Sequence, residues 1–542
     1  MIGDEKNTMT LMKKIIRTTL IAGSMMAFAS TASAKTLIYC SEASPEGFDP
    51  ALYTSGTTVD AAALTIYNRL VEFNPDETGI LPSLAEKWEI SDDGLEYIFH
   101  LREGVKFQTT SYFTPSRTLN ADDVLFTFDR AMNPQSPWHD YIPGIGYQYF
   151  DSMGLQDLIK TVEKLDDYTI KITLNQPEAP FLADLAMAFI SINSKEYADQ
   201  LEKEDRKEQF NLNPIGTGPF TFVAYQKDAA IRYKANDDYF GDRPKIDHLV
   251  FAITTDPSVR AQKLKAGECH IMSYPSPADI KELKADTNLQ VLENPGLNVG
   301  YMAYNTLQPP FDKVEVRQAL NMAVNKEAIL QAVFDDGGMV AKNPIPPTMW
   351  GYNDTIKDDV YDPEKAKQML DAAGVKDLQM KIWAMPVSRP YMPNARRAAE
   401  LIQADFNTVG VKAEIVSMEW GEYLKLGREK DRDGAIIAGW TGANGDPDNF
   451  FHVLNGCQSI GTNNYSNWCY EPFEKLINQA KIINDQDARV KLYEEAQLIF
   501  KEQAPWLVLD HSTVYMPMSK KVTGFKIYPV GGFRFFSVDI EE

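Results

Sequence analysis

An apolar run, Ala435-Ile436-Ile437-Ala438, passes directly into Gly439-Trp440-Thr441-Gly442-Ala443-Asn444-Gly445 and then into Asp446-Pro447-Asp448-Asn449-Phe450-Phe451. The first part reads as a buried strand. Asp446 before Pro447 reads as a helix start, because an aspartate accepts the orphan N–H groups of a first turn and proline has none to lose there. Strand, glycine loop and helix in that order point to layered α/β architecture. Such a loop exposes main-chain donors and acceptors beside a large aromatic, Trp440, and its glycines let a ligand approach the backbone closely. An ordinary strand-to-helix connection with a core tryptophan would carry the same residues, so the rest of the chain has to decide.

The alternation of strand and helix patterns continues along the chain. Tyr168-Thr169-Ile170-Lys171-Ile172-Thr173-Leu174 has the period of a half-buried strand, and Leu249-Val250-Phe251-Ala252-Ile253-Thr254 that of a continuous buried one. Asp362-Pro363 begins a helix with the apolar face Ala366, Met369, Leu370 and Ala373, closed by Gly374 as a left-handed cap. Residues 396–406 form another, with Gly410 beyond it. A chain of 542 residues exceeds what one core supports, so two or more domains are expected. The Asn294-Pro295-Gly296 turn, followed by extended Leu297-Asn298-Val299-Gly300-Tyr301, is the candidate crossing between them, with a return near Asp510-His511-Ser512.

The N-terminus reads as an export signal. Lys13, Lys14 and Arg17 precede a short apolar run, Leu20 to Ala29, and then Ala32-Ser33-Ala34, with small residues where a signal peptidase reads. Cleavage after Ala34 is expected, giving a mature chain from Lys35, with Met9 or Met12 as alternative starts. The run is short for a bilayer, and no cysteine follows the cut to accept a lipid. In an oxidising compartment Cys40, Cys269, Cys457 and Cys469 can pair in three ways, and none has C-x-x-C spacing. Proximity favours Cys457 with Cys469, and hence Cys40 with Cys269.

A formal net charge of -22 would repel a polyphosphate, so nucleic acid is not an expected partner. Mean hydropathy of -0.32 argues against a multi-span membrane protein. His100, His139, His248, His270, His452 and His511 form no zinc spacing, so no metal is assigned. Gly216-Thr217-Gly218-Pro219-Phe220 opens like a nucleotide loop, but it lacks the third glycine and puts proline where an amide should face phosphate; a turn is expected, and no cofactor. No G-x-S-x-G or Walker motif is present, and Asp122-Asp123 reads as a helix-cap or solvated pair.

Several segments together resemble one family. Thr54-Ser55-Gly56-Thr57-Thr58, Tyr67-Asn68-Arg69-Leu70-Val71-Glu72, Leu84-Ala85-Glu86-Lys87-Trp88, Gly216 to Phe220, Val316-Arg317-Gln318-Ala319-Leu320 and the loop from Gly439 look like bacterial extracytoplasmic solute-binding proteins of the peptide/nickel ABC-importer family, nearest its dipeptide-binding branch. The resemblance spans essentially the mature chain. It implies a two-lobed α/β clamshell with an extra subdomain: residues 35–295 plus 513–542 as lobe I, 296–512 as lobe II. It further implies a monomeric, non-enzymatic periplasmic protein of a Gram-negative cell that hands dipeptides or short peptides to an inner-membrane permease.

The same resemblance implies the site. Arg389, in Met385-Pro386-Val387-Ser388-Arg389-Pro390-Tyr391, is expected to clamp the ligand carboxylate, since a planar guanidinium can pair both oxygens. Trp420 and Trp440 become pocket walls, and Ser55, Gly56, Thr57, Gly439, Thr441, Gly442 and Ala443 complete the ligand-binding set. One departure matters. The family's amine-pairing aspartate falls at Ala443, while Asp446 is better explained as a helix cap. The same scaffold could therefore serve a ligand without a free α-amine, such as a modified peptide, haem or another organic nutrient. An exported hydrolase is a more distant alternative.

Overall fold

In the computed structural model, which describes residues 34–74, 79–335, 337–528 and 530–541, the apolar run Thr36–Ser41 is a strand flanked by His248–Ile253 and Ile271–Met272, both parallel to it. Nearly all of the expected signal segment, residues 1–33, lies outside the described residues. Ala230–Ala235 and Phe220–Gln226 extend this sheet in antiparallel fashion. Strand His248–Ile253 is not the uniformly buried run expected. Leu249, Phe251 and Ile253 point into a large aromatic core, whereas Val250 and Ala252 are only partly covered. The reason is that the second face carries a smaller cluster, built on Cys40, Leu264, Cys269 and Leu283.

A separate four-stranded antiparallel sheet holds the subdomain, in the order Ala85–Ile90, Glu96–Leu101, Thr169–Leu174, Ile159–Asp166. Its alternation is as read: Ile170, Ile172 and Leu174 are buried and the intervening residues half-exposed. Helix Ala121–Met132 starts from the Asn120 cap. Asp123 supplies the reciprocal half of the capping box but is not solvated. It is buried and holds Arg117 through both oxygens at 2.7 and 2.9 Å, because a cap that also faces the core needs a counter-charge.

The second half of the chain builds its own layers. Asn298–Tyr304 lies between Ala435–Thr441 and Trp506–Ser519, antiparallel to both, while Gln379–Trp383 runs parallel to Lys412–Val416 and Ala435–Thr441. Helix Ala395–Thr408, capped by Asn394, packs beside Lys412–Val416 and Gln379–Trp383, and helix Pro363–Ala372, capped by Asp362, packs on helix Val314–Met322. Gly374 takes the left-handed C-terminal position with φ +76°. Gly216 to Pro219 is a bend, as read, pinned by the Gly218 N–H donating to the Ile66 carbonyl at 2.7 Å.

The 14-residue strand Trp506–Ser519 joins the halves. Up to Ser512 it pairs with Asn298–Tyr304 and Gly338–Val340; from Thr513 it pairs with Leu289–Pro295. Two disulfides link Cys40 with Cys269 and Cys457 with Cys469, across 229 and 12 residues of sequence. Cross-linking a longer loop removes more unfolded-state entropy, about 5 kcal/mol for the first against about 3 for the second. The double variant Cys40→Ser/Cys269→Ser is thus expected to lower the thermal unfolding midpoint more than Cys457→Ser/Cys469→Ser. Equal midpoints for the two would refute this ordering.

Candidate functional site

Strand Ala435–Thr441 runs three residues beyond the apolar run that predicts it, so Gly439, Trp440 and Thr441 are strand residues rather than loop. Pairing explains the extension: Gly439, Trp440 and Thr441 oppose Gly300, Val299 and Asn298. Glycine is required at 439 because a Cβ there would stand 2.1 Å from the Tyr391 ring. Beyond the strand the expected open amides are already engaged. Gly442 N–H donates to the Leu297 carbonyl at 2.7 Å and Ala443 N–H to Asn449 Oδ1 at 2.9 Å. The same Asn449 oxygen accepts Trp440 Nε1–H at 2.9 Å, which fixes the indole. Helix Asp448–Asn455 follows. Asp446 caps it, accepting the Asp448 N–H at 2.9 Å, and both its oxygens hold the buried Arg489 at 2.8 Å.

Arg389 opens a tight turn closed by Met392, each accepting the other's N–H. Its guanidinium sits over the Trp420 and Tyr274 rings, at 5.2 and 5.8 Å from their centroids. Nη1 donates to Glu42 Oε1 at 2.5 Å, and Ser273 Oγ donates to the other Glu42 oxygen at 2.9 Å. Arg389 and Glu42 are 3% and 1% exposed, so the pair is desolvated. Arg389 Nε and Nη2 are buried with no hydrogen-bond partner. Burial pulls the guanidinium pKa down, but the Glu42 charge more than reverses this and keeps it ionised.

These groups enclose a cavity of about 180 Å³. One wall comes from Thr54 to Gly56, Val59, Asp60, Leu64, Tyr274 and residues 530–534; the other from Met385, Arg389 to Tyr391, Trp420, Tyr423 and residues 438–441 with Ala443. Of the residues read from the sequence, Ser55, Gly56, Arg389, Trp420, Gly439, Trp440, Thr441 and Ala443 meet here. Thr57 and Gly442 do not. Thr57 is turned into the wall, bonded to Ser55 Oγ at 3.0 Å, and Gly442 is packed against Leu297 and Phe450.

Several lining groups escaped the sequence reading. Tyr149 meets Trp440 edge-on at 5.6 Å, and Tyr391 lies against Gly439. Arg534 reaches Glu72 at 3.7 Å and covers Tyr528. Asp60, 3% exposed, accepts the Phe533 N–H through Oδ1 at 2.7 Å. Its one sequence signal is an acid set inside the small apolar run Val59-Asp60-Ala61-Ala62-Ala63-Leu64. Among the described residues no group of three or more His, Cys, Asp or Glu is arranged to hold a metal ion.

Two α/β halves joined by a strand that changes partners, and set around a cavity walled by aromatics, define a two-lobed clamshell binding protein. Residues 79–462 match the family described as Bacterial extracellular solute-binding proteins, family 5 Middle, and the chain belongs to that family. It is 55% identical over 518 residues to a dipeptide-binding protein of Escherichia coli, covering 95% of this chain and 96% of the relative. It is 48% identical over 514 residues to heme-binding protein A of Haemophilus influenzae, covering 95% and 94%. The crystal structure of a dipeptide-binding protein from Pseudoalteromonas sp. SM9913 in complex with Met-Leu superposes with a TM-score of 0.90 at 37% identity, covering 94% of this chain and all of that one. The family is non-catalytic, which removes the exported-hydrolase alternative.

Proposed function

We propose that this protein captures dipeptides or short peptides between its lobes in the periplasm of a Gram-negative cell and delivers them, as a monomer, to an ABC permease in the inner membrane. The observation that carries the reading is the half-used guanidinium of Arg389. One edge is neutralised by Glu42, while Nε and Nη2 remain buried without a partner in a cavity wall. A ligand carboxylate is the group that satisfies two such donors at once. The relatives named for dipeptides, and the one bound to Met-Leu, support the same ligand class. Lobe I comprises residues 35–295 and 513–542 and lobe II residues 296–512, a division supported by the change of strand partners between Ser512 and Thr513. Residues 1–34 are removed on export.

A second reading rests on position 443. With alanine there, and its N–H held by Asn449, nothing at that position pairs with an α-ammonium. A carboxylate ligand without a free amine would fit this as well, and one relative is named for haem. Calorimetric titration with Met-Leu and with N-acetyl-Met-Leu separates the two readings. Because closure is favoured by contacts to both walls, the bound form should also be the more compact one. Small-angle scattering is expected to give a smaller radius of gyration with Met-Leu than without it. An unchanged radius at saturation would count against closure on the ligand.

A further inference from the structure

Two arginines and one carboxylate line the cavity. Arg389 pairs with Glu42 and Arg534 reaches a Glu72 that Arg69 holds more closely, whereas Asp60, as buried as Arg389, forms no ion pair among the described residues. Its Oδ1 accepts the Phe533 N–H. A desolvated carboxylate left this way costs free energy until a cation arrives. Burial first, and then the Glu42 charge, push the Asp60 carboxyl well above the usual carboxylate range, and a cation brought against it would reverse that shift.

Its position suits one. Asp60 follows Gly56 by four residues on a continuous helical segment, and a Cβ at Gly56 would stand 3.5 Å from Arg389 Nη1. Asp60 therefore lies about one helical turn, roughly 6 Å between Cβ positions, beyond the residue that Arg389 Nη1 approaches. A dipeptide backbone spans at most about 7 Å. We infer that the Asp60 carboxylate receives the α-ammonium of the ligand, taking over at the lobe I wall the role that Ala443 cannot perform at the lobe II wall. The ligand class this selects is a peptide with a free amine and a free carboxylate a short backbone apart. The inference rests on the peptide reading above and names the group that holds the ligand's positive end.

Calorimetric titration of four proteins tests it: the parent, Asp60→Asn, Ala443→Asp and the double variant, each with Met-Leu and with N-acetyl-Met-Leu. Asparagine keeps the acceptor for the Phe533 N–H and removes the charge. Asp60→Asn should weaken Met-Leu about ten- to a hundredfold, the worth of a charge-assisted bond, and leave N-acetyl-Met-Leu unchanged or tighter. Ala443→Asp should recover Met-Leu binding in the Asp60→Asn background. Met-Leu binding that is equal in the parent and Asp60→Asn overturns the assignment while leaving the peptide reading intact. A parent that binds neither compound overturns both. Should Asp60→Asn not fold, the parent alone decides: Met-Leu must bind at least tenfold tighter than N-acetyl-Met-Leu, and equal affinities refute the inference.

Discussion

Arg389→Ala is expected to reduce Met-Leu affinity by two to three orders of magnitude and to destabilise the closed protein. The variant removes two effects together. The ligand carboxylate loses its planar two-donor partner, and Glu42 is left as an unmatched buried charge. Breaking a buried pair by deleting one member costs about 3–5 kcal/mol, of which much is the penalty on the survivor. A companion variant separates the parts. Glu42→Gln should leave the guanidinium without its internal counter-charge and so tighten carboxylate ligands, because the ligand no longer shares the cation. In Arg389→Ala/Glu42→Gln the buried orphan is gone, so thermal stability should recover toward the parent while Met-Leu binding stays lost. Arg389→Lys should fall between, since an ammonium keeps the Glu42 pair but cannot present a fork. Calorimetry and thermal unfolding on these four variants decide the matter; an Arg389→Ala protein that binds Met-Leu as tightly as the parent would end the clamp assignment.

The features legible in the sequence were those set by neighbours along the chain. Asp362-Pro363 and Gly374 bound their helix because capping is settled within one turn, and Ile170, Ile172 and Leu174 are buried because period two leaves them no other face. The disulfide between Cys457 and Cys469 spans only 12 residues, so proximity was informative. The cavity wall was legible only where a quoted segment happened to face inward. Thr57 shares a segment with Ser55 and Gly56 yet turns the other way, because alternate positions on one short helix cannot all meet the ligand.

Contacts made by distant residues left no local trace. Glu42 and Arg389 are 347 residues apart, and neither carries a mark of the other. Gly439 reads as loop glycine, and only the position of the Tyr391 ring shows that it is a strand residue stripped of its side chain to admit an aromatic. Asp123 beside Asp122 looks solvated until the N–H of Lys195, 72 residues on, is brought against it. Tertiary placement overrode local composition in each instance.

A buried contact between the proposed lobes carries the second large expectation, a linkage of closure to protons. Glu178 and Asp184 from the first lobe are buried against Asn444, Asp448, His452 and Lys481 from the second. Lys481 Nζ reaches Glu178 at 2.9 Å and Asp448 at 3.9 Å; Asn444 donates to Asp184 Oδ1 at 3.0 Å; His452 Nδ1 abuts Asp448, and its other nitrogen meets Asn478. Three carboxylates thus share one lysine and one histidine. Burial pushes Asp184 well above the usual carboxylate range, with the Glu178 and Asp448 charges adding to it, and burial likewise raises Glu178 against the pull of Lys481. Asp448 goes the other way: burial opposes its ionisation, but Lys481 and His452 together hold it low. In the open form Glu178 and Asp184 would face water at ordinary values, so closing takes up protons above about pH 4–4.5. Ligand affinity should therefore fall as pH rises from that range toward the raised closed-form values, by up to about tenfold per pH unit for each proton taken up. Below it both forms are protonated and the dependence from these two groups flattens. Asp448 is paired with Lys481 and His452 inside the second lobe, so its low value does not link to closure through them. Titrations in buffers of different ionisation enthalpy measure the uptake directly, and the difference between the parent and Glu178→Gln isolates this contact from the carboxylates that face the ligand. Identical proton uptake in the parent, Glu178→Gln and Asp184→Asn between pH 5 and about 7 would show that closure does not draw on these groups.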